Sequence, residues 1–200
     1  MYSEIVGRAE LKLKGAAEAF SYDFRGKTVL DIGSSTGGFT ELALRMGAKR
    51  VIAVEKGTKQ MKAPLRFDDR VELYEKTDFL GINVVSEQAT TLKAVHVDLT
   101  GVETVVADVS FISLRRILEH AKKIVPKDVD YLVMLKPQFE AYPDQLVNGV
   151  VKNERMRREI IKGFEGWLMR NGFLVVKKRD NEVAGKRGGN VERFYWLKVR

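Results

Sequence analysis

Two polar side chains directly follow stretches that the hydrophobic pattern marks as buried strands. Asp108 follows the apolar stretch 104–107, and Lys136 follows the apolar stretch 131–135. Because the carboxyl ends of parallel strands open into a common ligand crevice, we expect both side chains to lie at one site. A single aspartate at such a position often caps a helix, and a single lysine is often solvated. Two of them after consecutive strands indicate chemistry instead.

A glycine-rich turn follows the first strand, residues 28–32, and opens a helix. Glycines in such a turn let a ligand approach the backbone, and the N-terminus of a helix favours negatively charged groups. Glu55 follows Gly33 by 22 residues, at the end of the second strand, where an acidic side chain binds a ribose diol. We therefore predict a nucleotide-like ligand, held by Glu55 and by the turn residues Gly33, Ser35, Thr36, Gly37, Gly38 and Phe39.

The class of ligand follows from what this turn lacks. A dinucleotide fingerprint needs a glycine where Ser35 stands, and a P-loop needs a Gly-Lys-Ser/Thr sequence that is missing here. The remaining candidate is S-adenosylmethionine, which has a ribose and an adenine but no phosphate. Asp78, after the third predicted strand, would then lie near the adenine, and Asp108 would border the same cofactor.

The turn also allows a second interpretation, as a hydrolase. Residues 33–37 fit the Gly-x-Ser-x-Gly pattern of a nucleophile elbow. A hydrolase of that kind needs a histidine late in the chain, whereas this sequence has only His96 and His120, and we interpret His120 as a surface residue of a helix. Two histidines without any cysteine also predict that no metal site is present.

The hydrophobic pattern predicts strands that alternate with helices. Strands are expected over 28–32, 51–54, 71–75, 104–107, 131–135, 173–177 and 194–199, and helices over 9–20, 39–46, 114–125 and around 160–168. This alternation favours an α/β fold with a mostly parallel seven-stranded sheet, an antiparallel last strand and helices on both faces. We expect one domain over residues 1–200, with an N-terminal helical segment, 1–24, packed on it. Residues 81–101 are ambiguous between partial helix and loop, and 137–151 reads as a loop.

Charge is distributed unevenly along the chain. The net charge is +8, and the whole surplus lies in residues 152–200, with 14 basic against 6 acidic side chains. A basic region on an otherwise neutral chain suggests a polyanionic partner such as RNA, although it could also serve solubility alone. The absence of cysteine excludes disulfides and fits a reducing compartment, so we expect a cytoplasmic protein. No apolar stretch is long enough to span a membrane.

Four motifs together carry a resemblance to a known family. They are GRAELKL at 7–13, STGGFT at 35–40, DVSFISL at 108–114 and LKPQFE at 135–140. With them the chain resembles the FtsJ-type RNA ribose 2′-O-methyltransferases, most closely the TlyA or hemolysin A branch, from about residue 6 to 199. The last two motifs are specific to that branch, whereas the glycine-rich turn alone is not.

The resemblance implies an S-adenosylmethionine-dependent methyltransferase with a Rossmann-like fold that acts on RNA, in particular ribosomal RNA. It also implies a catalytic tetrad, which falls by motif position on Lys12, Asp108, Lys136 and Glu192. Lys136 would accept the proton of the ribose hydroxyl or orient that hydroxyl. Relatives of this branch usually begin with a small RNA-binding domain, and this chain starts where that domain would end.

Three other functions compete with this one. An enzyme that methylates nitrogen tends to carry an Asn/Asp-Pro-Pro-aromatic turn where this chain has Asp108-Val109-Ser110-Phe111. A non-catalytic RNA-binding or assembly factor could retain the same fold, but the intact tetrad argues against it. A membrane-active hemolysin would need an amphipathic or apolar membrane segment, and none is visible in the sequence.

Overall fold

The computed structural model describes residues 7–82, 97–181 and 189–200. Within these ranges strands and helices alternate along most of the chain. Their bounds, in chain order, are α1 (Arg8–Phe20), β1 (Thr28–Ile32), α2 (Gly38–Arg45), β2 (Arg50–Val54), β3 (Val71–Tyr74), β4 (Thr104–Ala107), α3 (Leu114–Ile124), β5 (Asp130–Leu135), β6 (Leu146–Val147), β7 (Val150–Val151), α4 (Glu154–Arg170), β8 (Phe173–Asp180) and β9 (Arg193–Val199).

Seven of the described strands form one sheet, in the order β3-β2-β1-β4-β5-β9-β8. The strands from β3 to β5 pair in parallel, whereas β9 runs antiparallel to both of its neighbours. This confirms the predicted α/β fold with a mostly parallel seven-stranded sheet and an antiparallel last strand. Strand order reverses between β1 and β4, and at such a switch point the connections diverge and leave a crevice at the carboxyl edge.

Helices cover both faces of the sheet, and the side chains of β1 alternate between them. Leu30 and Ile32 belong to a core that includes residues of α3 and α4, whereas Val29 belongs to a second core with residues of α1 and α2. Both β1 and β4 are buried along their whole length. Their apolar sequences are typical of parallel strands covered on two sides, and the one carboxylate among them, Asp31, lies in the site described below.

The stretch expected to be a loop, 137–151, contains the two-stranded hairpin of β6 and β7. Asn190 fixes this hairpin from a distant part of the chain, because its Oδ1 accepts a hydrogen bond from the Val151 N–H at 3.0 Å. Strands of two residues show no readable alternation, so only the tertiary contact reveals them. Of the ambiguous segment 81–101, residues 83–96 lie outside the described residues.

The helix expected around 160–168 begins earlier, at Glu154. Asn153 sets this start, since its side chain accepts a hydrogen bond from the Met156 N–H at 2.9 Å. Helix α4 ends before Gly172, whose φ of 75° lies in the left-handed region that favours glycine.

Candidate active site

Strand register brings three of the predicted catalytic residues to one edge of the sheet. Asp108 directly follows β4 and Lys136 directly follows β5. In the antiparallel ladder of β5 and β9, Leu135 pairs with Arg193, so Lys136 and Glu192 are the next residues on two adjoining strands. The carboxyl edge of the sheet therefore carries both a lysine and two carboxylates.

Lys136 and Asp108 form an ion pair there. The Lys136 Nζ lies 2.5 Å from the Asp108 Oδ1, and only 11% and 18% of the two side chains are exposed. The same Nζ donates a hydrogen bond to the Ser110 Oγ at 2.8 Å. An amine held by one ion pair and one hydrogen bond in a partly buried place has a fixed position from which it can contact a substrate hydroxyl.

Lys12 and Glu192 form a second ion pair. The Lys12 Nζ donates to the Glu192 Oε2 at 2.6 Å, and the same oxygen accepts a hydrogen bond from the Asn181 Nδ2 at 3.1 Å. Glu192 is buried, at 6% exposure. The four residues of the predicted tetrad thus form two lysine–carboxylate pairs, and Lys12 reaches Glu192 from α1, at the opposite end of the chain.

Gly38 allows α1 to lie where it can deliver Lys12. A Cβ added at Gly38 would lie 2.8 Å from the Ala9 Cβ and 3.1 Å from the Glu10 backbone nitrogen. Only a residue without a side chain lets the two helices approach this closely. Sequence reasoning placed Gly38 at the cofactor, and the structure shows this packing role for it.

The glycine-rich turn lies beside Asp108. A Cβ added at Gly33, whose φ is 79°, would meet the Asp108 carbonyl oxygen at 3.4 Å and Val109 at 3.3 Å. At Gly37, with a φ of 95°, the added Cβ would overlap the side chain of Leu65. Ser35 also has a positive φ, of 50°. The turn is therefore bent towards the strand that carries Asp108, and its glycines are required by the backbone.

Glu55 fastens this turn to the end of β2. Its Oε2 accepts a hydrogen bond from the Ser35 N–H at 2.8 Å, and its Oε1 accepts one from the Gly57 N–H at 2.6 Å. The Gln60 Nε2 donates a third hydrogen bond, to the Oε1 at 3.3 Å. A carboxylate offers about four acceptor positions, so one is left for a ligand hydroxyl.

Asp78 begins the turn Phe79–Gly81 that follows β3. Its Oδ1 accepts a hydrogen bond from the Leu80 N–H at 3.1 Å. The Lys56 ammonium, 3.0 Å from the Asp78 Oδ2, holds the pKa of this carboxyl below its ordinary value. Asp78 is thus an ionised acceptor, and its partner Lys56 directly follows Glu55 in the chain.

Two turn residues differ in what their side chains can do. The side chain of Phe39 is buried, with its ring centroid 6.1 Å from that of Phe194. A contact between Phe39 and a ligand would therefore have to come from its backbone. Thr36, by contrast, is exposed.

Sequence reasoning did not single out Asp31 or Ser34, which lie buried under the same turn. The Asp31 Oδ2 accepts a hydrogen bond from the Thr40 hydroxyl at 2.6 Å, but its Oδ1 and the Ser34 Oγ have no hydrogen-bond partner among the described residues. Burial raises the pKa of Asp31 to about 7, against the opposing effect of the Thr40 hydrogen bond. The signal in the sequence is a carboxylate inside an otherwise apolar strand.

Glu140 joins the two loops that carry Asp108 and Lys136. Its carboxylate accepts hydrogen bonds from the Ser113 hydroxyl at 2.8 Å and from the Leu114 N–H at 2.6 Å. Its side chain is almost fully buried, and burial raises the pKa of the carboxyl. The two motifs most specific to the resembled branch therefore meet at the N-terminus of α3.

Phe111 lies exposed between these loops. Its side chain is 92% exposed and its φ is 62°, in the left-handed region that non-glycine residues rarely adopt. Its ring centroid lies 5.2 Å from that of Phe139. This places a solvated aromatic surface one residue from Ser110, the hydrogen-bond partner of Lys136.

The hydrolase interpretation finds no support at the turn. The Ser35 Oγ donates to the Gln60 Oε1 at 2.9 Å instead of to a histidine. His120 is half-buried, contrary to the expectation of a surface residue, because its Nε2 is hydrogen-bonded to the Ile82 carbonyl at 2.8 Å and its ring packs edge-on against Phe79. His96 lies outside the described residues. Over the described ranges, no three His, Cys, Asp or Glu side chains come together as metal ligands.

The chain resembles known proteins along almost its entire length. The family model of FtsJ-like methyltransferases matches residues 5–199. The 16S/23S rRNA (cytidine-2′-O)-methyltransferase TlyA of Mycobacterium tuberculosis is 36% identical over 198 residues, which are 98% of this chain and 69% of that protein.

Solved structures agree with this assignment. A structure described as a hemolysin, from Streptococcus thermophilus, has a TM-score of 0.85 at 32% identity and covers 100% of this chain and 69% of that one. An S-adenosylmethionine-dependent methyltransferase from Mesorhizobium loti has a TM-score of 0.63 at 14% identity, over 97% of this chain and 100% of that one, and shows the shared fold alone. The described part of this chain contains no helix that combines the length and the apolar character needed to cross a membrane.

These matches confirm the predicted Rossmann-like methyltransferase fold and the resemblance that four short motifs carried. The chain belongs to the FtsJ-like methyltransferase family.

Proposed function

We propose that this protein transfers a methyl group from S-adenosylmethionine to the ribose 2′-hydroxyl of RNA, in particular ribosomal RNA. The observation that carries the proposal is the Asp108–Lys136 ion pair at the carboxyl edge of the sheet. Asp108 lies against Gly33 of the glycine-rich turn, so an amine and a cofactor held by that turn would be close together.

The residues around the turn suit this cofactor. The buried Asp31 carboxyl and Ser34 hydroxyl each have an unused polar atom, counted over the described residues, which could accept or donate hydrogen bonds to a charged ligand. Glu55 would bind the ribose diol, Asp78 the adenine, and Asp108 would border the cofactor. The other contacts would come from Gly33, Ser35, Thr36, Gly37, Gly38 and Phe39. When bound, S-adenosylmethionine supplies a methyl group on a positively charged sulfur.

Lys136 would act on the hydroxyl that receives the methyl group. Only a neutral amine can take a proton, whereas a lysine is ordinarily charged at neutral pH. Asp108 holds the Nζ in place at the carboxyl edge of the sheet. The Lys12–Glu192 pair would hold the neighbouring end of β9 and add a second amine to the site. Alignment of the acceptor oxygen would supply much of the rate, since bound geometry removes an entropic cost.

RNA as the substrate is supported by three features. Relatives at 36% identity are named as enzymes acting on rRNA at the 2′ position of cytidine. The exposed Phe111 ring beside the Lys136 site offers a surface on which an unstacked base could lie. The basic surplus in residues 152–200 would contact phosphates. A ribosomal substrate would place the protein in the cytoplasm.

The proposal predicts that Lys136→Ala abolishes methyl transfer and leaves cofactor affinity nearly unchanged. Positioned proton-transfer groups contribute about 10²–10⁴-fold to a rate, whereas the ribose and adenine are bound by other groups. The measurement is tritiated methyl incorporation into unmethylated ribosomal subunits, with calorimetry of S-adenosylmethionine binding in parallel. Lys49→Ala is the control, because Lys49 is also ion-paired but follows α2 and contacts Glu103 before β4, at the other edge of the sheet.

A Lys136→Ala variant within about threefold of the wild-type turnover would remove Lys136 from the reaction. Wild-type protein that binds RNA and cofactor without methyl transfer would support the assembly-factor alternative. A wild-type protein that causes leakage of liposomes and transfers no methyl group would support the membrane-active alternative.

A further inference from the structure

We propose that Ser110 is a positioning residue for the transfer reaction: its hydroxyl orients the Lys136 amine so that the nitrogen lone pair points to the substrate hydroxyl. This inference rests on the proposed function. Ser110 lies two residues after Asp108, on the loop between β4 and α3, and its Oγ is 2.8 Å from the Lys136 Nζ.

The valences of the nitrogen carry the argument. A neutral lysine amine has two N–H bonds and one lone pair. The structure provides one hydrogen-bond acceptor for it, the Ser110 Oγ at 2.8 Å, whereas the Asp108 Oδ1, 2.5 Å away, makes an ion pair without hydrogen-bond geometry. When one N–H bond is directed to the Ser110 oxygen, the other N–H bond and the lone pair share the two remaining tetrahedral directions, and the negative Asp108 oxygen attracts the N–H bond and repels the lone pair. Without Ser110, no hydrogen bond to the described residues would fix the rotation of the amine about its Cε–Nζ bond, and a hydrogen could be directed to the substrate instead.

The reaction uses this lone pair once. The ribose O–H bond breaks and its proton moves to the Lys136 Nζ, while the oxygen forms a bond to the methyl carbon. The carbon–sulfur bond would break with its electron pair going to sulfur, and the leaving group would be S-adenosylhomocysteine, in which the sulfur is an uncharged thioether. The product state has three N–H bonds on Lys136, one of them directed to Ser110, and its positive charge lies beside the Asp108 carboxylate.

The surrounding structure fixes the backbone that carries Ser110. Val109, on one side, is buried, and Phe111, on the other, has a left-handed backbone conformation. Two residues after Phe111, the Ser113 hydroxyl donates a hydrogen bond to the buried carboxylate of Glu140. Ser110 itself is exposed, so its hydroxyl is not part of the core. Removal of this oxygen should therefore change the orientation of Lys136 without unfolding the protein.

The test compares Ser110→Ala and Ser110→Thr with the wild-type chain on unmethylated ribosomal subunits. Thr100→Ala serves as the matched control, because Thr100 is also an exposed hydroxyl with one side-chain hydrogen bond, to Asp98 at 2.7 Å, but it precedes β4 at the other edge of the sheet. We expect Ser110→Ala to lower kcat by about 10- to 100-fold, since small misplacements of reacting groups have effects of this size. The KM values for RNA and cofactor should change by less than about twofold, because the contact matters mainly in the transition state.

Ser110→Thr keeps the acceptor oxygen and should restore kcat to within about threefold of wild type, whereas Thr100→Ala should leave it unchanged. A fall in kcat for both the alanine and the threonine variant would show a steric or structural role and overturn the inference. Wild-type kcat in Ser110→Ala would also overturn it, with the proposed function intact. No transfer by the wild-type chain would overturn both.

Discussion

Asp31 is a carboxylic acid held inside a parallel strand. It is fully buried, and one of its oxygens is bonded to Thr40. Burial raises its pKa from the ordinary 3.8 to about 7, and the negative charges of Asp108 and Glu55 act in the same direction against the Thr40 hydrogen bond. The group therefore holds its proton in the folded chain at a pH where an unfolded chain has lost it.

This difference predicts how stability depends on pH. Between about pH 4 and pH 7 the folded state binds one proton more than the unfolded state at Asp31, so the contribution of this group to the free energy of unfolding falls as the pH rises. Asp31→Asn lacks this contribution. The stability of the wild type relative to the variant should decrease by up to about 4 kcal/mol from pH 4 to pH 8. Urea unfolding of both proteins at these two pH values measures it, and a constant difference would contradict the shift.

Helix α1 is the element that brings residues from the start of the chain into the site. It packs on α2 at Gly38 and carries Lys12 to Glu192. Two backbone carbonyls tie it to β8 as well: Lys177 donates to the Phe20 carbonyl at 2.7 Å and Arg179 to the Gly15 carbonyl at 2.8 Å. The position of Lys12 is therefore a property of how the helices and the sheet pack.

Gly38→Ala should displace α1 and weaken the Lys12–Glu192 pair. The new Cβ would lie 2.8 Å from the Ala9 Cβ, and overpacking of this kind costs about 1–3 kcal/mol. We expect a lower melting temperature together with reduced methyl transfer. Gly15→Ala is the matched control within α1 itself, because an added Cβ there meets nothing within 4 Å. That change should stabilise the protein by about 0.4–1 kcal/mol. Equal melting temperatures for the two variants would contradict the packing role of Gly38.

At the scale of the whole molecule, the basic surplus of residues 152–200 is partly neutralised within the fold. Arg157 and Arg193 both bind Asp180 at 2.6 Å, and Lys178 binds Glu165 at 2.9 Å. Lys152, in contrast, is exposed and lines a cavity of about 320 Å³ that also includes Pro137 and Val191. These two are the sequence neighbours of Lys136 and Glu192, so this cavity adjoins the candidate site.

RNA affinity should therefore fall steeply with salt, since phosphate contacts release counterions. Fluorescence anisotropy with a labelled ribosomal RNA fragment, over a series of salt concentrations, measures the slope of log Kd against log salt. Lys152→Gln should reduce this slope by about one, which is the contribution of a single phosphate contact. Lys49→Gln removes the same charge near the other edge of the sheet and should leave the slope unchanged. An affinity independent of salt would contradict the electrostatic contribution.

The sequence by itself determined the seven strands of the large sheet, their order along the chain and the class of fold. Hydrophobic runs such as 104–107 and 131–135 are local signals, because a strand covered on both faces must be apolar along its length. The motifs also placed Asp108 and Lys136 at strand ends, from which their proximity follows once the sheet is parallel. Four short motifs indicated the family. Each motif occupies consecutive positions, so it can be recognised in the sequence without knowledge of the fold.

Only the tertiary structure decided which side chains touch. The Lys12–Glu192 contact joins residues 180 positions apart, and no periodicity encodes such a distance. The hairpin of β6 and β7, the loop connection through Glu140 and the bond from Lys136 to Ser110 depend in the same way on register and packing. The raised pKa of Asp31 depends on burial beneath a turn and two helices. Solvent exclusion and long-range contact are properties of the folded chain, so a residue type and its spacing alone do not specify them.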